Sequence, residues 1–183
     1  AIMKPMFKQD ILIDPPFLNA AGFCGFTADP EKFSKGGCFG AFVTNPISYK
    51  PRKPASGKHF LPYPGGFLLH TGLPNPGFYA ALKKFGAKWA RTDIPVIIHL
   101  IAEAPETIAR MIGKLEEEGS VAGVELGFRH DHELDEIVEM VEAANGELPI
   151  ITRIPDALLK EAVEEIPKAG AFAISLAPPR GMI

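Results

Sequence analysis

Residues 121–154, VAGVELGFRHDHELDEIVEMVEAANGELPIITRI, carry the pattern that decides the fold class. A β-branched apolar run, Val121–Leu126, opens the stretch. Leu134, Ile137, Val138 and Val141 then recur at helical spacing within Glu133–Ala144, and Gly146 follows as a terminator. Ile150–Ile154 is a second apolar run. Strand, amphipathic helix and strand in succession call for parallel strands with helices covering them.

The same alternation extends in both directions. Toward the C-terminus, the spacing predicts a helix with Asp156 as N-cap, Leu158, Leu159, Ala162, Val163 and Ile166 facing inward, and Gly170 at its end. A strand over Ala171–Leu176 follows. Toward the N-terminus, a helix over Pro105–Glu118 puts Ile108, Met111, Ile112 and Leu115 on one face, with Pro105 suited to its first turn and Gly119 to its end. Before it come a strand Val96–Leu100, a helix Phe78–Trp89 and a strand Ala41–Thr44. A short helix around Pro30–Lys35 and a first strand Phe17–Ala21 complete the series. A long loop from Pro46 to Asn75 interrupts it, and its Phe60, Leu61, Phe67, Leu68 and Leu69 predict that it folds back as a lid or hairpin. Six strands suit a doubly wound open sheet, although no G-x-G-x-x-G follows the first of them. A (β/α)₈ barrel has eight strands and about 250 residues, so a truncated barrel stays equally open at this point.

The 183 residues, 46% hydrophobic and 22% charged, suit one domain with a sizeable core. The 18 glycines and 18 prolines are scattered between apolar runs and read as turns, not as a disordered tract. A net charge of −3 gives no electrostatic case for nucleic acid or anionic lipid. No apolar run approaches the ~20 residues of a membrane span. Cys24 and Cys38 form neither a disulfide framework nor a metal-ligand spacing, and Ala1-Ile-Met-Lys-Pro5 lacks the plan of a secretory signal. The expectation is a cytoplasmic protein with reduced thiols and no metal.

In both architectures ligands sit at the carboxyl ends of the strands. There the sequence places Asn19, Gly22, Asn45, His99, Gly127, Arg129, His130, Arg153 and Ser175. Glu125 and Arg153 interrupt apolar strands, where a charge is costly unless paired. Either they pair with each other or Arg153 faces a bound anion. His130-Asp131-His132 offers imidazoles for acid–base work or metal ligation but no clear third ligand. His99, within Val-Ile-Ile-His-Leu, reads as a satisfied core histidine. Lys50, Arg52, Lys53 and Lys58, with no acid between them, suit a phosphate or carboxylate as well as they suit solvent.

Three segments resemble one family. Pro16-Phe-Leu-Asn-Ala-Ala-Gly22 is similar to the first strand of the dihydroorotate dehydrogenases, and Gly40-Ala-Phe-Val-Thr-Asn45 with Lys50-Pro-Arg52 resembles their second strand and its loop. Thr71-Gly-Leu-Pro-Asn-Pro-Gly77 is close to the signature after that loop, while Val124-Glu-Leu126 and Ile151-Thr-Arg-Ile-Pro155 fit the fourth and fifth strands. The resemblance implies a (β/α)₈ barrel, of which 1–183 would form about six βα units as a single partial domain, with loop 46–75 over the carboxyl ends of the strands. It implies FMN as cofactor, with Ala20, Ala21 and Gly22 against the flavin, and Asn45 and Arg153 where the family has flavin-contacting lysines. Asn75 would contact substrate, as would His132, which stands where the family has an asparagine. His130 falls at the position of the family's catalytic base, and Gly127 replaces an asparagine at the end of strand four.

These departures point to a substrate other than dihydroorotate. The expected function is therefore that of an FMN-dependent oxidoreductase acting on an unidentified small anionic substrate. In it His130 takes a proton while the flavin takes a hydride. A non-catalytic barrel subunit that has lost flavin chemistry is the alternative, and a metal-assisted lyase using His130 and His132 a third. The family's phosphate site follows strands seven and eight, so the expectation is either that the rest of the barrel lies outside this sequence or that a homo-oligomer or partner chain completes it.

Overall fold

The computed structural model describes residues 10–33, 37–57, 60–129 and 131–177. Five parallel strands form the main sheet: β1 (Phe42–Val43), β4 (Val96–Ile101), β5 (Gly123–Gly127), β6 (Ile150–Ile154) and β7 (Ala173–Leu176), hydrogen-bonded in that order. The predicted first strand is reduced to one parallel bridge, Leu18 to Ala41. Asn19 explains the reduction, because its side chain does the work of a backbone partner. Its Oδ1 accepts from the Val43 N–H at 2.8 Å and its Nδ2 donates to the Val43 carbonyl at 2.7 Å. Six chain segments thus lie side by side in sequence order.

That order decides between the two architectures left open above. A doubly wound sheet reverses its strand order at a switch point and carries helices on both faces. Here the order never reverses, and the four longer helices all pack on one face. They are α2 (Phe78–Trp89), α3 (Pro105–Glu118), α4 (Leu134–Ala143) and α5 (Leu159–Lys168), and a short α1 (Pro30–Phe33) precedes them. Phe78, Ala81 and Trp89, then Ile108, Met111 and Leu115, then Ile137 and Val141, then Ala162 and Ile166 join Phe42, Val96, Ile98, Leu100, Val124, Leu126, Ile150 and Ile154 in one core. Each fully buried large side chain there stabilises by roughly 1.5–3 kcal/mol. The arrangement is that of an incomplete barrel, whose other face would be the interior.

The pleat gives that inner face the odd-numbered positions: Ala41, Val43, Ile97, His99, Gly123, Glu125, Gly127, Ile151, Arg153, Ala173 and Ser175. Ala41, Val43 and Ile97 form a small apolar floor with Ile11, Ile13, Ala21 and Ile151. Polar groups lie above it, toward the carboxyl ends.

Two details of the last helix differ from expectation. Asp156 begins a 3₁₀ turn, Asp156–Leu158, and Pro155 takes the position before it, so Asp156 caps nothing. Val163 is exposed, because Ala162 and Ile166 already occupy the buried stripe and Val163 lies a quarter-turn round from it. No helix among the described residues is long and apolar enough to cross a membrane.

Loop 46–75 forms an arm that folds back on itself. Arg52 and Asn75 form an antiparallel bridge at its base, Ala55 N–H donates to the Thr71 carbonyl at 2.9 Å, and β2 (Phe60–Tyr63) pairs with β3 (Gly66–Leu69) at its tip. Pro64-Gly65 makes the tip turn, with Gly65 at φ 94°.

Candidate functional site

At the carboxyl ends of the strands, the inner face carries a buried hydrogen-bonded network. His99 on β4 and Glu125 on β5 are register partners, and Nδ1 of His99 lies 2.6 Å from Oε2 of Glu125. The other carboxylate oxygen accepts from the Ser175 hydroxyl of β7 at 2.7 Å. Burial pushes the Glu125 carboxyl up. The hydrogen bond from His99, the Ser175 hydroxyl and the charge of Arg153 outweigh it and hold the group below the usual carboxylate range.

Of the two alternatives for Glu125 and Arg153, the direct ion pair does not form: the Glu125 oxygens engage His99 and Ser175 instead. Register is the reason: Glu125 stands opposite Ile151, whereas Arg153 stands opposite Gly127 and Ser175, one pleat further along. Arg153 is half-buried there and acts on Glu125 through its charge alone. The His99 reading holds in part, since its Nδ1 is satisfied, but by a group at the site and not by the core.

Gly127 lies between His99 and Arg153. A Cβ built on it would fall 2.3 Å from His99 Nε2 and 2.6 Å from Cε1. The imidazole thus fills the space that a side chain at 127 would need.

The remaining sequence-derived positions fall as follows. Ala20 and Gly22 are exposed and Ala21 packs against the apolar floor. Gly22 has φ 88°, and a Cβ there would approach nothing nearer than Pro46 Cδ at 3.6 Å. Asn45 is committed to the same loop: its Oδ1 accepts from Gly25 N–H at 3.0 Å and its own N–H donates to the Gly25 carbonyl at 2.7 Å. Asn75, at the base of the arm, is buried and internally engaged. Its Oδ1 accepts from Gly77 N–H at 2.9 Å and its Nδ2 donates to Ser48 Oγ and to the Leu73 carbonyl, each at 3.0 Å. Gly77, at φ 82°, packs so close to the Pro51 nitrogen that a Cβ would fall 2.8 Å from it. His130 and Lys58 lie outside the described residues. His132 is half-buried beside Phe128, and its Nδ1 has no hydrogen-bond partner among the described residues. Arg129 and Asp131 form an exposed ion pair. No group of three or more metal-ligating side chains occurs among the described residues.

A cavity of about 600 Å³, lined by Phe33, Lys88, Arg91 and Asp93 among others, opens at the end of α2 that leads into β4. It lies at the opposite end of the strands from the His99 network, so we do not assign the site to it.

The network was the feature that sequence reasoning did not assemble. Its three members were visible singly at the strand ends, and the signal that unites them is their shared odd parity on neighbouring strands.

No family model matches the chain. It is 35% identical, over 64% of its length and 38% of the relative's, to a protein named putative dihydroorotate dehydrogenase A (fumarate) from Aeropyrum pernix. It is 32% identical to the catalytic subunit of dihydroorotate dehydrogenase B (NAD(+)) from Pelobacter propionicus, over 62% of this chain and 37% of that protein. The corresponding subunit from Pyrococcus abyssi matches at 26% over 87% of this chain and 57% of its own length. The matches therefore span between 37% and 57% of these relatives' own length. Among solved structures, 2,3-dimethylmalate lyase, a PEP mutase/isocitrate lyase superfamily member, overlaps 52% of this chain and 40% of its own with a TM-score of 0.41 and 20% identity. The sequence matches support a divergent relationship between this chain and the dihydroorotate dehydrogenases.

Proposed function

We propose that this chain forms the larger part of a dihydroorotate-dehydrogenase-type barrel and serves an FMN-dependent oxidoreductase acting on a small anionic substrate. The observation that carries the reading is the composition of the inner face. A shelf without bulky side chains, Ala20 to Gly22, adjoins the end of a parallel sheet on which Arg153 supplies a cation close to Gly127. A planar ring can approach backbone over such a shelf, so these residues fit the ring portion of FMN. Bound flavin would accept two electrons. The chain's own residues would orient the ring (Ala20, Ala21, Gly22, Asn45) and hold the substrate's anionic group (Arg153). The phosphate would be held outside the described residues, by a further segment or a partner chain. Asn75 and His132 flank the substrate in this reading.

The visible spectrum of the purified protein, measured beside its intact mass, tests the proposal. The expected result is a yellow protein that releases FMN on denaturation. A colourless protein that takes up no added FMN refutes it. A non-catalytic subunit is the second reading, favoured by the internal engagement of the Asn45 and Asn75 amides. Tight metabolite binding without flavin would support that reading.

A further inference from the structure

We propose that His99 is the proton-accepting catalytic residue of the inner-face site, held in its reactive tautomer by Glu125 and Ser175. Its redox half rests on the flavin reading above; the assignment of the base does not.

His99 is 4% exposed, yet it stands on the inner face toward the carboxyl ends of the strands, where parallel barrels seat their ligands. A buried imidazole there has two nitrogens to account for. Glu125 is a carboxylate and can only accept, so Nδ1 must carry a proton in the 2.6 Å contact. The Ser175 hydroxyl, donating to the other oxygen at 2.7 Å, fixes the carboxylate plane. A neutral imidazole protonated at Nδ1 has its lone pair at Nε2. That atom makes no hydrogen bond to any described residue, and it overhangs Gly127, where any side chain would collide with it. A carboxylate fixing one imidazole nitrogen so that the other can take a proton is the arrangement of a general base. Arg153, on the far side of Gly127, is the cation that would draw an anionic substrate into the gap.

The step balances as follows. A C–H bond of the substrate breaks and its proton passes to Nε2. The electron pair left behind would form a C=C bond as the adjacent carbon loses hydride, for which FMN, held by Ala20, Ala21, Gly22 and Asn45, would supply the two-electron acceptor. The imidazolium then returns its proton to water. His130 is not needed as the base.

The test combines three readouts on the full chain. With ¹⁵N-labelled histidine at neutral pH, His99, identified by its loss in His99→Gln, is expected to show a protonated Nδ1 and a bare Nε2. Glu125→Gln is expected to mix or invert the tautomers, and the milder Ser175→Ala to weaken the preference without abolishing it. Diethyl pyrocarbonate should acylate His99 at a rate comparable to the exposed His70, and about tenfold more slowly in Glu125→Gln. In flavin-loaded protein with dihydroorotate as probe, His99→Gln should slow flavin reduction on the order of 10²-fold or more, with FMN affinity retained. A protonated Nε2 on neutral His99, an inert His99 beside a reactive His70, or unchanged reduction in His99→Gln would each overturn the proposal. A colourless protein with a bare, reactive Nε2 refutes the flavin reading and upholds His99 as the base. If dihydroorotate reduces no flavin in the wild type, tautomer and acylation decide the matter alone.

Discussion

Replacing Gly127 by alanine tests the geometry of the site at its tightest point. The added Cβ would fall 2.3 Å from His99 Nε2, against an ordinary contact of 3.4–4 Å, so the ring must retreat by more than an ångström. Retreat is blocked on the other side by Glu125, whose bond to Nδ1 is only 2.6 Å long. Overpacking a tight site costs about 1–3 kcal/mol, and breaking a buried pair about 3–5 kcal/mol when one charge is left unpartnered. Partial relief of each leads us to expect a loss of about 2–4 kcal/mol. Trp89 is the only tryptophan and is 3% exposed, so its fluorescence during urea unfolding reads the change directly. In a His99→Ala background the obstacle is gone. The same glycine replacement should then stabilise by about 0.5–1 kcal/mol, the usual advantage of alanine over glycine within a strand. An unchanged midpoint for Gly127→Ala in the wild type, or equal effects in the two backgrounds, would refute the reasoning.

Other outcomes follow from the same structure. Because Glu125 titrates below its ordinary value in the folded state, its contribution is present at neutral pH and is lost as pH falls through that depressed value. The stability difference between wild type and Glu125→Gln should therefore narrow below the usual carboxylate range, as checked by denaturant midpoints across pH. Asn75→Ala removes the acceptor for Gly77 N–H and the donor to Ser48 Oγ, and should cost about 1–3 kcal/mol, with hydrogen exchange rising first at 71–77. Glu116 of α3 accepts from the N–H groups of Glu147 and Leu148 at 2.6 and 3.1 Å. Glu116→Ala should cost about 1 kcal/mol and speed exchange at those two amides alone.

The strands and helices were legible because their apolar residues repeat at the periods of 2 and 3.6 that burial on one face imposes. Pro105–Glu118 and Phe78–Trp89 have the bounds that their spacing predicts. Which architecture those elements build was not legible in their periodicity, since strand order is a property of pairing and not of any one strand; only the family resemblance pointed to a partial barrel. Nor was the partner of Glu125. His99 and Arg153 stand on the two strands that flank it, and only the register, His99 level and Arg153 one pleat further, separates them. Asn75 stood out through its motif, but a motif cannot show that its amide is engaged by Ser48 and Gly77.

The arm of residues 46–75 has a mechanical consequence. Its tip leaves Phe60, Tyr63, Phe67 and Leu69 more than half exposed, so burial contributes little to holding it. Backbone bonds join its two limbs instead, at Arg52 to Asn75, at Ala55 to Thr71 and along the hairpin. Joined in this way, the limbs cannot readily part from each other. Any displacement of the arm is a swing of the whole lever about its root at Ser48 and Asn75, which makes those two residues the fulcrum.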